Sequence, residues 1–360
     1  MTDSARTQRD GTQALRAVAC ALVLFQHVTF YACSARGIAY EPFLPINFGR
    51  MGVDLFFVIS GFVMGQCLGQ GKAFILHRAV RIFPPFWIAI ALSFLVLGTG
   101  AAEWHLDGWS ALLLPASDLN NSYMIPYWTL CYEMAFYVAT YLLILLKVRR
   151  SAIPGACILW ILAIAVFNTY RPLGGFDAEA ANHFIFYPGW LILLSPVSML
   201  FAFGLLLATA QPIPQTVHPA YLAALALCAW SAALNAPFAS AVPSYLLLGV
   251  AYGATLLTAQ RVVFPRLAVK LGDVSYGFYL VHVIAIAAVY RAIPHGAASP
   301  RFAVIWMTMA CTAVAVGITY GWLEFQFHAR VLRKAFHHKP AADLLPALSA
   351  ADTSSSAVGR

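Results

Sequence analysis

Charge is what this chain has least of. Only 10% of its 360 residues are Asp, Glu, Lys or Arg, against roughly 25% in soluble domains, and that shortage excludes an ordinary water-facing globule. No basic stripe interleaved with aromatics occurs, so the net charge of +8 does not point to nucleic acid, and no nucleic-acid partner is expected. No pair of histidines has the local HxxxH type of spacing, and no metal is expected. No internal repeat supports the inverted halves of a secondary transporter. Cysteine is scarce and mostly sits inside apolar segments (Cys20, Cys131, Cys157, Cys228, Cys311), where it acts as a small hydrophobe. Only Cys33 is expected outside, so no disulfide is expected there.

What is present in excess is apolar sequence, at 61%. Runs long enough to span a bilayer, about 20 residues each, recur from Ala14 almost to Phe325. They predict an all-α, polytopic membrane protein with about ten transmembrane helices, near 14–33, 51–69, 82–99, 125–146, 152–169, 184–209, 218–235, 242–259, 273–291 and 302–325. The first run has basic residues before it and YACSA after it, as a signal peptide would, but nine further spans argue against cleavage there. Three segments follow: an N-terminal stretch 1–13, a membrane domain 14–329, and a tail 330–360 that ends in ADTSSSAVGR and is too polar to bury a core. Placing both termini in the cytoplasm puts 17 of the 22 Lys and Arg inside, leaving Arg36, Arg50, Arg171, Arg291 and Arg301 outside. The 100–124 loop carries Glu103, Asp107 and Asp118 and no base. This is the asymmetry of the positive-inside rule.

Ionisable residues inside the spans cost roughly 2.5 to 3.5 kcal/mol each at a helix centre and need a reason. His27, Asp54, Glu133 and His282 are the candidates. On the expected topology His27 lies roughly 7 Å below the outer end of the first span, and Asp54 and Glu133 lie near the outer ends of theirs. Histidine takes a proton near neutral pH, and a carboxylate on its other nitrogen fixes the tautomer and raises basicity. The trio therefore fits activation of a hydroxyl. The same residues also fit plain roles, His27 bonded to a carbonyl and Asp54 paired with Arg50 at i,i+4. Towards the opposite surface Arg16, Arg78 and Arg81 collect, the last two three residues apart on one helix face. Forked guanidinium donors match phosphate oxygens; the plain alternative is a set of positive-inside anchors. Pro84 and Pro85 fit the first turn of a span beginning near residue 82. Eleven residues separate Arg16 from His27, about 16 Å along a helix. Trp104, Trp109, Tyr123, Tyr127, Trp128 and Trp190 supply aromatic surface for sugar stacking or for interface anchoring.

Six segments, in order, carry a resemblance. LRAVACALVLFQHV holds an arginine, ten residues and a histidine (Arg16, His27). GVDLFFVISGFVM, HRAVRIFPPFW (Arg78, Arg81), YWTLCYEMAFY (Glu133), DVSYGFYLVH (Ser275, Tyr276, His282) and YGWLEFQF (Glu324) follow. Over about residues 11 to 330 the chain resembles the large bacterial family of integral-membrane acyltransferases that O-acetylate glycans, and the WTLCYEMAFY form is most similar to its exopolysaccharide branch. Gln26 before the histidine and Cys131-Tyr132 depart from many relatives without removing a functional group.

The resemblance implies an O-acyltransferase of a bacterial inner membrane. It uses acyl-CoA, most simply acetyl-CoA, as donor, with its phosphates at Arg16, Arg78 and Arg81. His27 is the implied general base, or the nucleophile of an acyl-histidine, and Glu133 or Asp54 orients it. Ser275, Tyr276 and His282 are implied to bind substrate or shape the tunnel. The implied acceptor is an extracytoplasmic or lipid-linked glycan, first of all exopolysaccharide, and the implied partners are the lipid bilayer and polysaccharide-synthesis machinery. The rival classes are a transporter or flippase of a glycan intermediate, independent of acyl-CoA, and a non-catalytic partner of a polysaccharide synthase, indifferent to loss of His27.

Overall fold

The computed structural model describes residues 3–98, 108–115, 127–171, 189–210, 217–235 and 241–332. The acidic residues of the 100–124 loop, Trp104, Tyr123, and residues 333–360 of the expected tail lie outside them. The described residues are helical, with no strand among them. In chain order the helices are α1 (Asp3–Arg36), α2 (Phe48–Cys67), α3 (Ala73–Leu97), α4 (Gly108–Ala111), α5 (Tyr127–Leu145) and α6 (Ile153–Tyr170). They continue as α7 (Ser198–Thr209), α8 (Pro219–Asn235), α9 (Ala241–Ala259), α10 (Arg266–Asp273), α11 (Ser275–Ala292) and α12 (Phe302–Phe327). Eight of them, α1, α2, α3, α5, α6, α9, α11 and α12, are long and apolar enough to cross a membrane. Two shorter apolar helices, α7 and α8, occupy the places of the sixth and seventh expected spans. The protein is an all-α polytopic membrane protein.

Local chemistry sets the helix ends that matter for the site. The C-terminus of α1 closes in a Schellman turn: Gly37 adopts φ 65°, its N–H reaches the Ser34 carbonyl at 3.0 Å and the Ile38 N–H reaches the Cys33 carbonyl at 3.1 Å. At the start of α2 the Asn47 side chain accepts from the Arg50 N–H at 2.9 Å, a side-chain N-cap. Lipid-like packing favours small residues where helix backbones approach. Gly61 and Gly204 do this at the α2–α7 crossing, where an added Cβ would collide with the Phe201 and Val58 carbonyls respectively.

Three expectations change. The third span begins at Ala73, so Pro84 and Pro85 are interior, not in the first turn. Interior prolines free the carbonyls four residues earlier, those of Val80 and Arg81; in the same stretch hydroxyls from neighbouring helices bind other carbonyls, Tyr276 that of Ile82 at 3.0 Å and Tyr320 that of Pro85 at 2.5 Å. The sixth expected span is broken: a 3₁₀ run Gly189–Leu194 precedes the twelve residues of α7. Side chains serve its irregular backbone, Trp160 on Leu193, Asn168 on Leu194 and Ser198 on Ile192, each at 2.7 or 2.8 Å. The expected 260–270 loop contains α10, clamped to the start of α1 by Arg9 and Asp273 at 3.2 Å and by Gly272, where an added Cβ would strike the Gln13 carbonyl.

Candidate active site

α1, at 34 residues, is about 51 Å long, longer than a hydrocarbon core of about 30 Å. Arg16 stands thirteen residues in from its start, about 20 Å along the helix. It opens into a cavity of about 460 Å³ bounded by α1, α2, α3, α5 and α11. Arg78 and Arg81 line the same cavity from α3, and Glu133 and Tyr137 line it from α5.

The three guanidiniums are held differently. Arg16 Nε donates to the Ser275 hydroxyl at 3.1 Å, and that hydroxyl donates to the Gly272 carbonyl at 2.7 Å. Ser275, expected to bind substrate, thus fixes Arg16. Arg78 lies over the Phe74 ring, Cζ 5.6 Å from its centroid, and its Nη2 reaches Cys67 Sγ at 3.4 Å. Its Nε is buried with no hydrogen-bond partner among the described residues. Arg81 makes no hydrogen bond or ion pair among the described residues. Gln13 Oε1 and Ser60 Oγ, on the same wall, are also buried without partners. Buried polar groups are ordinarily satisfied, and this cluster of open donors and acceptors makes the cavity a candidate ligand site. One carboxylate on the cavity wall, Glu133, faces the three cations; it accepts a hydrogen bond from the Tyr137 hydroxyl and forms no ion pair within 4 Å, while Glu324 of α12, off the wall, is near enough to Arg81 and Arg16 to interact with their charge. Arg9, at the cavity's edge, is already paired with Asp273. The excess of positive charge along the cavity wall fits a polyanionic ligand such as the phosphates of a nucleotide-type thioester.

His27 is not on the cavity wall. Its ring packs edge-on against His282 of α11, centroids 5.3 Å apart. Tyr279 links the two places. It lines the cavity, bonds Thr129 of α5 through its hydroxyl at 3.1 Å, lies against Phe56 at 5.6 Å, and stacks at a tilt on His282 at 5.6 Å.

The structure does not bring the expected histidine–carboxylate trio together. Neither Asp54 nor Glu133 is hydrogen-bonded or ion-paired to His27. Asp54 Oδ2 pairs with Arg50 Nε at 3.6 Å, and that guanidinium also covers the Tyr245 ring of α9 at 5.0 Å. Glu133 instead lines the cavity together with the arginines. Tyr276, like Ser275, has its polar atom engaged within the protein, at the Ile82 carbonyl, while its side chain lines the cavity. Among residues passed over in the sequence, Gln13, Ser60, Tyr137 and Tyr279 join the site. Tyr137 was accessible as the i+4 neighbour of Glu133, and Gln13 as the i−3 neighbour of Arg16. Tyr279 needed the fold. Trp109 and Trp190 meet edge to face at 6.2 Å and are half or more exposed.

A family model described as an acyltransferase domain matches residues 10–321. Among curated proteins, the chain is 29% identical over 282 residues to the exopolysaccharide production protein ExoZ of Rhizobium meliloti (strain 1021), covering 71% of this chain and 84% of that protein. It is 28% identical to nodulation protein 10 of Rhizobium leguminosarum bv. viciae over 77% of this chain and 82% of that one. It is 25% identical to the acyltransferase MdmB of Streptomyces mycarofaciens over 75% and 76%. No solved structure matches the chain significantly.

Proposed function

This chain belongs to the acyltransferase-domain family and is an O-acyltransferase enzyme, and we propose that it moves an acyl group, acetyl first of all, from acyl-CoA to a hydroxyl of an extracytoplasmic or lipid-linked glycan. The observation that carries this reading is the cavity with three arginines and one carboxylate, its Tyr279 wall in contact with the His282 ring that abuts His27. The donor's phosphates take the open donors of Arg78 and Arg81 and the charge of Arg16, and the pantetheine arm runs along α1 towards His27, about 16 Å away. His27 removes the acceptor's hydroxyl proton as the oxygen attacks the thioester carbonyl. The C–S bond breaks, and the proton passes on to the departing thiolate. Glu133 sets the charge of the donor chamber, and Asp54 holds Arg50 at the start of α2.

Exopolysaccharide is the proposed acceptor, in line with the name of the Rhizobium meliloti relative, and polysaccharide-synthesis machinery is the proposed source of that acceptor. A bacterial inner membrane with both termini in the cytoplasm suits the distribution of Lys and Arg and gives the cavity access to cytosolic acyl-CoA. The test is incorporation of labelled acetyl into surface glycan, with release of CoA, in membranes carrying the intact chain, His27→Ala or Arg78→Ala at matched expression. Loss of label in His27→Ala, and a raised acetyl-CoA requirement in Arg78→Ala, is the expected result. Label unchanged by His27→Ala contradicts the assignment and returns the transporter and partner readings.

A further inference from the structure

His282 is 1% exposed and wedged between rings, stacked on Phe278 at 6.2 Å and tilted on Tyr279 at 5.6 Å. Its Nδ1 lies 2.7 Å from the Tyr279 carbonyl oxygen. A carbonyl only accepts, so Nδ1 carries the hydrogen and Nε2 is left as the lone-pair nitrogen. That Nε2 is buried and has no hydrogen-bond partner among the described residues, and the ring next to it is His27. A neutral imidazole locked into one tautomer, with its free lone pair beside a second imidazole, is an acceptor for an N–H of that neighbour, and the bond strengthens when the neighbour becomes a cation.

We propose that His282 is a positioning residue for the acyl transfer: its Nε2 accepts the N–H of His27, so that the opposite nitrogen of His27 is the one offered to the acceptor hydroxyl. The inference rests on His27 acting as general base. In the step, the hydroxyl proton moves to His27, which becomes an imidazolium; the hydroxyl oxygen bonds to the acyl carbon, the C–S bond breaks, and the imidazolium returns the proton to the thiolate. His282 gains and loses no proton. It stabilises the transient cation through the shared N–H, the part expected of Asp54 or Glu133 and left open by their placement. The Tyr279 carbonyl that sets the tautomer belongs to the residue walling the donor cavity.

The two nitrogens can be tested apart, because a Gln amide oxygen can stand in for Nε2 and an Asn amide nitrogen for Nδ1. In membranes with their own glycan and labelled acetyl-CoA as donor, His282→Ala is expected to lower the maximal rate about a hundredfold while the KM for acetyl-CoA stays within about threefold, on the scale of general-base assistance. His282→Gln is expected to recover at least about a tenth of the intact rate, and His282→Asn to resemble His282→Ala. The His27→Ala, His282→Ala double variant is expected to be no slower than His27→Ala alone, as for residues that act as a unit. Equal rates for the Gln and Asn variants, or a double variant slower than His27→Ala, would overturn the proposal. An intact rate in His27→Ala is a different failure, that of the general-base reading itself.

Discussion

Two groups of charge are buried in this bundle, and they are built in opposite ways. At the start of α2, Arg50 and Asp54 pair one to one at 3.6 Å, with side chains 16% and 2% exposed, beneath the Tyr245 ring and without a place on the cavity wall. Between α1, α3 and α5, three arginines and one carboxylate line about 460 Å³ of space, with Glu324 nearby and with Arg78 Nε, Gln13 Oε1 and Ser60 Oγ buried without hydrogen-bond partners among the described residues. The pair balances its own charge, although Asp54 Oδ1, like the cavity atoms, is buried without a hydrogen-bond partner among the described residues. An unmatched set carries free energy that only a ligand of opposite charge recovers. Buried charge alone therefore does not mark the site; the missing counter-charge does.

The comparison breaks first, and hardest, at the matched pair. Asp54→Ala removes the carboxylate beside the buried Arg50 and is expected to cost about 3 to 5 kcal/mol, seen as a fall in the thermal midpoint of the detergent-solubilised protein. Replacing both partners with apolar residues of similar volume should restore most of that loss. Arg78→Ala and Arg81→Ala come next, with the opposite signature: stability held, but KM for acetyl-CoA raised about 10- to 100-fold, from charge-assisted hydrogen bonds of about 1.5 to 3 kcal/mol each. Ser275→Ala releases Arg16 from its hydroxyl and should raise the same KM about fivefold, for one hydrogen bond of about 1 kcal/mol, with Ser275→Thr close to the intact enzyme. The smallest effect is expected from Glu133→Gln, which removes the cavity's carboxylate and should lower KM about threefold, within the roughly 1 kcal/mol of a solvated ion pair. A rise in KM there would place Glu133 in donor binding.

The long apolar runs made the helical membrane class legible, and the Arg16-to-His27 spacing lay on one continuous helix as expected. Depth was not legible, because a span was assumed to begin where polar residues stop. α1 continues to Asp3 and α3 to Ala73, so Arg16 is placed inside the bundle and the proline pair inside a helix, in a stretch bonded by hydroxyls from α11 and α12. The break before α7 was hidden for a related reason: Asn168 and Trp160 satisfy its backbone from afar in sequence, together with the nearby Ser198. Arg78 and Arg81 were visible as a pair, but guanidiniums used as anchors and guanidiniums left open toward a cavity look identical in sequence. The surroundings of His27 were hidden likewise. A carboxylate is the obvious orienting group, whereas the ring that abuts it belongs to His282, 255 residues away.

Calorimetric binding of CoA to the purified, detergent-solubilised chain, compared with the Arg78→Ala, Arg81→Ala double variant at unchanged thermal midpoint, tests the unmatched-charge cavity most directly. Saturable binding by the intact chain, lost or weakened by at least about a hundredfold in the double variant, is the predicted result. Equal affinity in the two proteins would contradict it and move the donor's phosphates elsewhere.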